Sequence, residues 1–243
     1  MDRRFAILGD IHANIDALDA VLADCREQGV TDYLCTGDVV GYNACPRECL
    51  TRVRELNCPV VMGNHDYYVA SQLDLEDFNP HAAAVVEWTR NQLTFEEIDY
   101  LSQLPFVKTI MGITLVHATM DSPESFGYVF DHLQAEAHFI HQKTPLCFHG
   151  HTHCPIVYEK QVGSVYRIDA QDFTLPLGRK YFINVGSVGQ PRDGDPRASY
   201  VIYDFKTRAV MFRRLEYDVE RAQARIREAG LPERLAERLG IGR

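Results

Sequence analysis

Gly9-Asp10-Ile11-His12 follows the apolar run Arg4-Phe5-Ala6-Ile7-Leu8, and this junction decides how the rest of the chain reads. A run of that length and composition suits a buried strand, so two polar side chains emerge where the strand ends. Alternation along an extended backbone would set Asp10 and His12 on one side, where a carboxylate oxygen and an imidazole nitrogen reach one metal ion. Four more polar clusters stand in the same relation to an apolar run. Thr36-Gly37-Asp38 follows residues 32–35, Gly63-Asn64-His65-Asp66 follows 59–62, His117 follows 113–116, and His149-Gly150-His151-Thr152-His153 follows 145–148. Between the first three runs the pattern is helical. Asn14 offers an N-cap to a helix carrying Ile15, Leu18, Val21, Leu22 and Cys25 and ending at Gly29, and Pro46 opens a second helix through about Leu56. Repeated strand-helix-strand units imply parallel strands with right-handed crossovers, which sets Asp10, Asp38 and Asn64 at the carboxyl edge of one sheet, where ligands bind.

The chain has 243 residues, 46% of them hydrophobic, and a formal net charge of −9. That is enough apolar material for one compact domain over 1–243. The acidic balance disfavours broad nucleic-acid or anionic-membrane binding, although a cationic metal site still attracts phosphate locally. No apolar run approaches membrane-spanning length, and the residues before Asp10 leave no room for a signal-peptide core. Seven cysteines, an odd number, fit reduced thiols in a cytoplasmic protein.

From about 71 to 104 the pattern is a helical insert, with Asn79-Pro80 as cap and first turn and Thr94-Phe95-Glu96-Glu97 as a capping box. Trp88 reads as packing, and His81, His132, His138 and His141 as ordinary histidines. Residues 106–110 and 113–116 read as paired strands across Met111-Gly112. The loop 121–130 borders the expected site, and a helix spans about Asp131 to Gln142. Runs at 156–158, 162–168, 181–185, 200–205 and 209–215 suggest a mainly antiparallel second sheet. From about 218, two helices divided at Gly230-Leu231-Pro232 read as a surface element whose arginines are interleaved with acids.

Collected, the strand-end groups are Asp10 and His12, Asp38, Asn64 and His65, His117, and His151 and His153. In this arrangement the sequence resembles the calcineurin-like metallophosphoesterases, whose successive motifs read DxH, GD, GNHD, an isolated His after a strand, and GHTH. Within that superfamily, Gly37-Asp38-Val39-Val40-Gly41-Tyr42 and the later stretch from Asn184 to Arg192 resemble the small bacterial and archaeal branch. The resemblance implies an α/β fold: a two-sheet β-sandwich flanked by helices, in four αββα layers. It further implies a two-metal centre in which Asp10, His12 and His153 hold one ion, Asn64, His117 and His151 hold the other, and Asp38 bridges them. Two ions roughly 3.5–4 Å apart turn a shared water into hydroxide near neutral pH and stabilise in-line displacement at phosphorus. Mixed nitrogen and oxygen coordination suits Mn, Fe, Zn, Co or Ni, with manganese the first expectation by resemblance. His65 is the expected group for the leaving oxygen.

One departure shapes the substrate expectation. Protein Ser/Thr phosphatases of the superfamily continue the second motif as GDxxDRG, whereas here Gly41 stands for the acid and Tyr42 for the arginine. Arg192 is a candidate replacement for that cation, and Tyr42 and Asn43 are candidate substrate contacts. The expected activity is hydrolysis of small phosphodiesters or nucleotides, with phosphomonoester or protein-phosphatase-like hydrolysis as the alternative. A non-catalytic scaffold is a second alternative, against which the retained ligand set and His65 both argue.

Overall fold

In the computed structural model, which describes residues 2–71, 73, 75 and 80–243, strand β1 (Arg4–Leu8) is buried at its last four positions. Both of its faces are covered, which is why the run carries no polar alternation. Phe5 and Ile7 point into a core shared with Leu115, Phe148 and Ile183 of the opposite sheet, while Ala6 and Leu8 pack outward beneath helices. The period of two along a strand thus builds two separate hydrophobic layers from one run.

Helix α1 (Ile15–Glu27) is capped by the Asn14 side chain, which accepts from Ala17 N, and returns the chain to β2 (Asp32–Cys35), parallel to β1. Helix α2 (Pro46–Glu55) has Pro46 in its first turn, where the missing N–H costs nothing. The expected third strand at 59–62 is reduced to a single parallel bridge between Cys35 and Val60 before α3 (Asn64–Ala70) begins. Pro59 lacks a donor, and Met62 N instead donates to Pro105 O, so the ladder cannot extend.

Helices α4 (Pro80–Gln92) and α5 (Phe95–Ser102) fill the expected helical segment, and the Thr94–Glu97 capping box is present. The expected cap at Asn79 lies outside the described residues. Strands β3 (Val107–Ile110) and β4 (Ile113–Val116) form the expected hairpin; helix α6 (His132–His141), capped by Asp131, leads into β5 (Leu146–His149). Then come β6 (Ile156–Gln161), β7 (Ser164–Ile168), β8 (Phe173–Thr174), β9 (Lys180–Asn184), β10 (Ala198–Asp204) and β11 (Ala209–Leu215). Helices α7 (Val219–Glu228) and α8 (Glu233–Ile241) end the chain.

The strand order is β2-β1-β10-β11-β8 in one sheet and β3-β4-β5-β9-β6-β7 in the other. This corrects the expected assignment of the late strands. β10 and β11 belong to the first sheet, with β10 antiparallel to β1, and the second sheet is parallel at its centre, where β4, β5 and β9 lie side by side. Strand patterning reports burial on each face but carries no information on which sheet a strand joins. With α1 and α2 on the outer face of the first sheet and α6 against the second, the architecture is the expected αββα sandwich.

The terminal helices are more than surface. Ala222, Ile226, Leu235, Ala236 and Leu239 form a core with Val85, and Tyr42, Ala44 and Trp88 pack against it. The C-terminal hairpin is therefore fastened to the loop that follows Asp38.

Candidate active site

β1 ends at Leu8, and neither Asp10 nor His12 is extended: their φ angles are 48° and 47°, in the left-handed region. Asp38 (52°), His151 (69°) and His153 (60°) share it. The strand alternation expected to bring Asp10 and His12 to one face is thus replaced by tight turns at the strand ends. Each such non-glycine residue costs on the order of 1 kcal/mol or more, a strain that concentrates at functional sites. The 184–192 segment holds these turns. Asn184 Nδ2 donates to Thr152 Oγ1 at 3.0 Å and to Gly150 O at 2.5 Å, and Ser187 Oγ donates to Asp10 O at 2.7 Å. Gly189 N also donates to Asp10 O, at 2.9 Å. Gly63 is equally constrained, because a Cβ there would overlap Asp38 Oδ1.

These turns gather candidate ligand atoms from both sheets. One atom each from Asp10, His12, Asp38 and His153 lies within 4.8 Å of all the others, and all four residues are buried. His12 Nδ1 donates to Val40 O at 3.1 Å and His153 Nδ1 to Gln190 O at 2.6 Å, since a carbonyl only accepts. Burial pushes both imidazoles well below the ordinary histidine range, so each is neutral with a bare lone pair on Nε2. Those two Nε2 atoms are 3.0 Å apart. Beside them, His117 Nδ1 donates to Thr36 O, and His117 Nε2 lies 3.1 Å from Asn64 Oδ1 and 3.2 Å from His151 Nδ1, which is itself 2.9 Å from Asn64 Oδ1. Asp38 Oδ2 joins the groups, 3.5 Å from His12 Nε2 and 3.4 Å from His117 Nε2. Its other oxygen accepts the His65 N–H at 2.8 Å, so a single oxygen faces both groups.

The facing Nε2 lone pairs of His12 and His153 repel one another unless a cation lies between them, and the donor set of imidazole, carboxylate and amide oxygen fits divalent transition metals. Without cations the cluster holds its charge awkwardly. Burial lifts Asp10 to about 7, while His117 rises to about 9 because Asp38 outweighs the effect of burial. Asp38 stays well below the usual carboxylate range despite its burial, under the charge and hydrogen bonding of His117.

His65 is buried against this cluster, its ring 4.9 Å from that of His12 and 4.3 Å from that of Tyr42. Burial lowers it to about 4. Its Nδ1 has no partner, because Gly41 packs there: a Cβ on Gly41 would lie 2.5 Å from that nitrogen. Asp66 does not reach His65. Its Oδ1 accepts from Val39 N and Val40 N, and its Oδ2 from Gly63 N, tying the two ligand loops together. Asn43 is likewise occupied within the fold, donating to His12 O at 2.7 Å. Arg192 stands over the Tyr42 ring at 5.3 Å, and its charge acts on Asp10, His12, His65, His151 and His153.

Residues 4–208 match the calcineurin-like phosphoesterase superfamily domain. The chain belongs to the calcineurin-like phosphoesterase superfamily. It is 39% identical over 242 residues, 98% of each chain, to an uncharacterized protein of Methanocaldococcus jannaschii. The crystal structure of a metallophosphoesterase from Sphaerobacter thermophilus, 40% identical, superposes with a TM-score of 0.88 over 100% of both chains. A hypothetical protein from Pyrococcus horikoshii OT3, 24% identical, shares the fold at a TM-score of 0.80, covering 99% of this chain and 98% of that one.

Two features of this calcineurin-like phosphoesterase lie outside the sequence motifs. From the loop 121–130, Tyr128 stacks on the His151 ring at 4.1 Å, Phe126 packs edge-on to His117 at 5.9 Å, and Phe130 stacks on Tyr128. Its aromatic residues were the available signal, without a partner to attach them to. Arg238 of α8 lies 6.0 Å from the Tyr42 ring centre. Nothing in the local pattern distinguishes it from its neighbouring helical arginines. Among the described residues, no helix is long and apolar enough to cross a membrane.

Proposed function

We propose that this phosphoesterase hydrolyses small phosphodiesters or nucleotides with two divalent cations, manganese first among Mn, Fe, Zn, Co and Ni. The observation that carries the reading is the crowding of imidazole nitrogens and carboxylate and amide oxygens on His12, His153, His117, His151, Asn64 and Asp38. Asp10, His12 and His153 would hold one cation and Asn64, His117 and His151 the other, with Asp38 Oδ2 common to both. When bound, such a pair makes water a nucleophile near neutral pH and neutralises phosphate charge. The chain's own groups orient and complete the reaction. His65 would meet the leaving oxygen, and Tyr42 walls the site by packing on His65 and His12. Asn43 positions the His12 backbone, and Arg192 brings the positive charge that Tyr42 does not supply.

The exposed aromatic pair Tyr128 and Phe130 beside His151 favours a substrate with a flat ring, as in a nucleoside or aryl ester. All seven cysteines are free thiols, which supports a reducing, cytoplasmic setting.

Metal-stripped protein assayed on bis-p-nitrophenyl phosphate and p-nitrophenyl phosphate, with and without Mn²⁺, tests the reading. Metal-dependent cleavage of the diester, lost in Asp38→Ala, is expected. Preferential monoester cleavage would move the protein to the phosphomonoesterases, and inactivity at confirmed metal occupancy would favour the scaffold.

A further inference from the structure

We propose that Arg192 and Arg238 together form a subsite for a second phosphate group of the substrate, beyond the one that is hydrolysed. The inference rests on the phosphoesterase reading and narrows its substrate class to compounds carrying two phosphoryl groups. Both guanidinium carbons stand over one ring, Tyr42, at 5.3 Å and 6.0 Å from its centre. That ring also packs on His12 and His65, so the pair borders the ligand cluster.

Each arginine is held in place by a hydrogen-bond acceptor. Arg192 donates from Nε and Nη2 to Gln190 Oε1 at 3.2 and 2.9 Å, and Arg238 from Nε to Arg243 O at 2.7 Å. Among the described residues, Arg192 has no carboxylate side chain in ion-pair contact, whereas Arg213, Arg221, Arg225 and Arg227 each do. In a chain of net charge −9, two half-buried cations are thus brought over one ring beside the ligand cluster, within each other's field. Burial and the Arg192 charge both push Arg238 below the ordinary arginine range. Two guanidinium forks match phosphate oxygens in geometry as well as charge. The arrangement depends on α8, because Leu235, Ala236 and Leu239 anchor the helix that carries Arg238.

The test measures dissociation constants of ADP and AMP by titration calorimetry on Mn²⁺-loaded protein, at equal free Mn²⁺, in wild type, Arg192→Gln, Arg238→Gln and Arg238→Lys. Wild type should bind ADP at least tenfold more tightly than AMP. Each glutamine variant should cut that ratio at least fivefold, and Arg238→Lys should restore part of it. The thermal midpoint reports folding independently in each variant. An unchanged ratio in both glutamine variants overturns the subsite even where bis-p-nitrophenyl phosphate is still cleaved. Arginine-dependent preference for ADP in a protein that cleaves no ester supports the subsite and overturns the hydrolase reading instead.

Discussion

His12 Nε2 and His153 Nε2 lie 3.0 Å apart with both Nδ1 atoms donating to backbone carbonyls, so two lone pairs face each other across a buried gap. Since left-handed turns at Asp10, His12 and His153 hold this contact, repulsion and backbone strain fall on the same few residues. A cation that binds only the folded chain offsets both. Adding Mn²⁺ to chelator-treated protein should raise the thermal midpoint by several degrees, corresponding to about 4 kcal/mol at a thousandfold excess over Kd. His153→Ala should lower the metal content and shrink that gain, as read by elemental analysis beside calorimetric melting. An equal gain in wild type and variant would contradict the placement.

Asp38 has a divided carboxylate, with Oδ1 on the His65 N–H and Oδ2 facing both ligand groups. Asp38→Ala should therefore cost metal at both positions and lower activity at least ~10³-fold, a loss in the range of a major electrostatic contribution to catalysis. Asp66→Ala should act differently, since its carboxylate binds Val39 N, Val40 N and Gly63 N. It should destabilise by about 1–3 kcal/mol for the backbone donors left unpaired. Denaturant melts and metal analysis on the two variants separate the effects.

Gly41 sets the position of His65. With φ at +98° and a would-be Cβ 2.5 Å from His65 Nδ1, Gly41→Ala must shift the imidazole or the loop. We expect kcat to fall roughly 10- to 100-fold with metal content intact, approaching the His65→Ala value, which general acid-base catalysis places about 10²–10⁴-fold down. Full activity in Gly41→Ala would show that the His65 placement is immaterial.

His138 governs part of the acid sensitivity. It is fully buried, accepts from Met120 N through Nδ1, donates to Gln142 Oε1 through Nε2, and is lowered to about 3 by burial, with His141 and Lys180 adding to the shift. Between the ordinary histidine value and about 3, the unfolded chain binds a proton that the folded chain refuses. The folded state therefore loses stability as pH falls through that window and is unaffected above it. His138→Leu should cost about 1–3 kcal/mol at neutral pH through unpaired Met120 N and Gln142. Its urea midpoint should then decline less steeply than that of wild type between pH 6.5 and 4. Parallel declines would assign the acid sensitivity elsewhere.

Local chemistry in the sequence was sufficient for much of this protein. The apolar run from Arg4 to Leu8, the Asn14 cap, the Thr94 capping box and the polar clusters after successive strands are short-range features, so these elements were legible locally, and the αββα class followed from the family resemblance that the clusters carry. What the tertiary structure decided depends on groups far apart in the chain. Strand patterning could not place β10 beside β1 or reduce 59–62 to one bridge, because sheet membership is settled by packing across layers. Nor could it find the left-handed turns that replace strand alternation at Asp10 and His12, the first of which is held by hydrogen bonds from a segment some 175 residues later. Arg238 lies at the site for the same reason: helix packing against Tyr42 and Trp88 brings it there, and its own sequence neighbourhood is that of any solvent-facing helix.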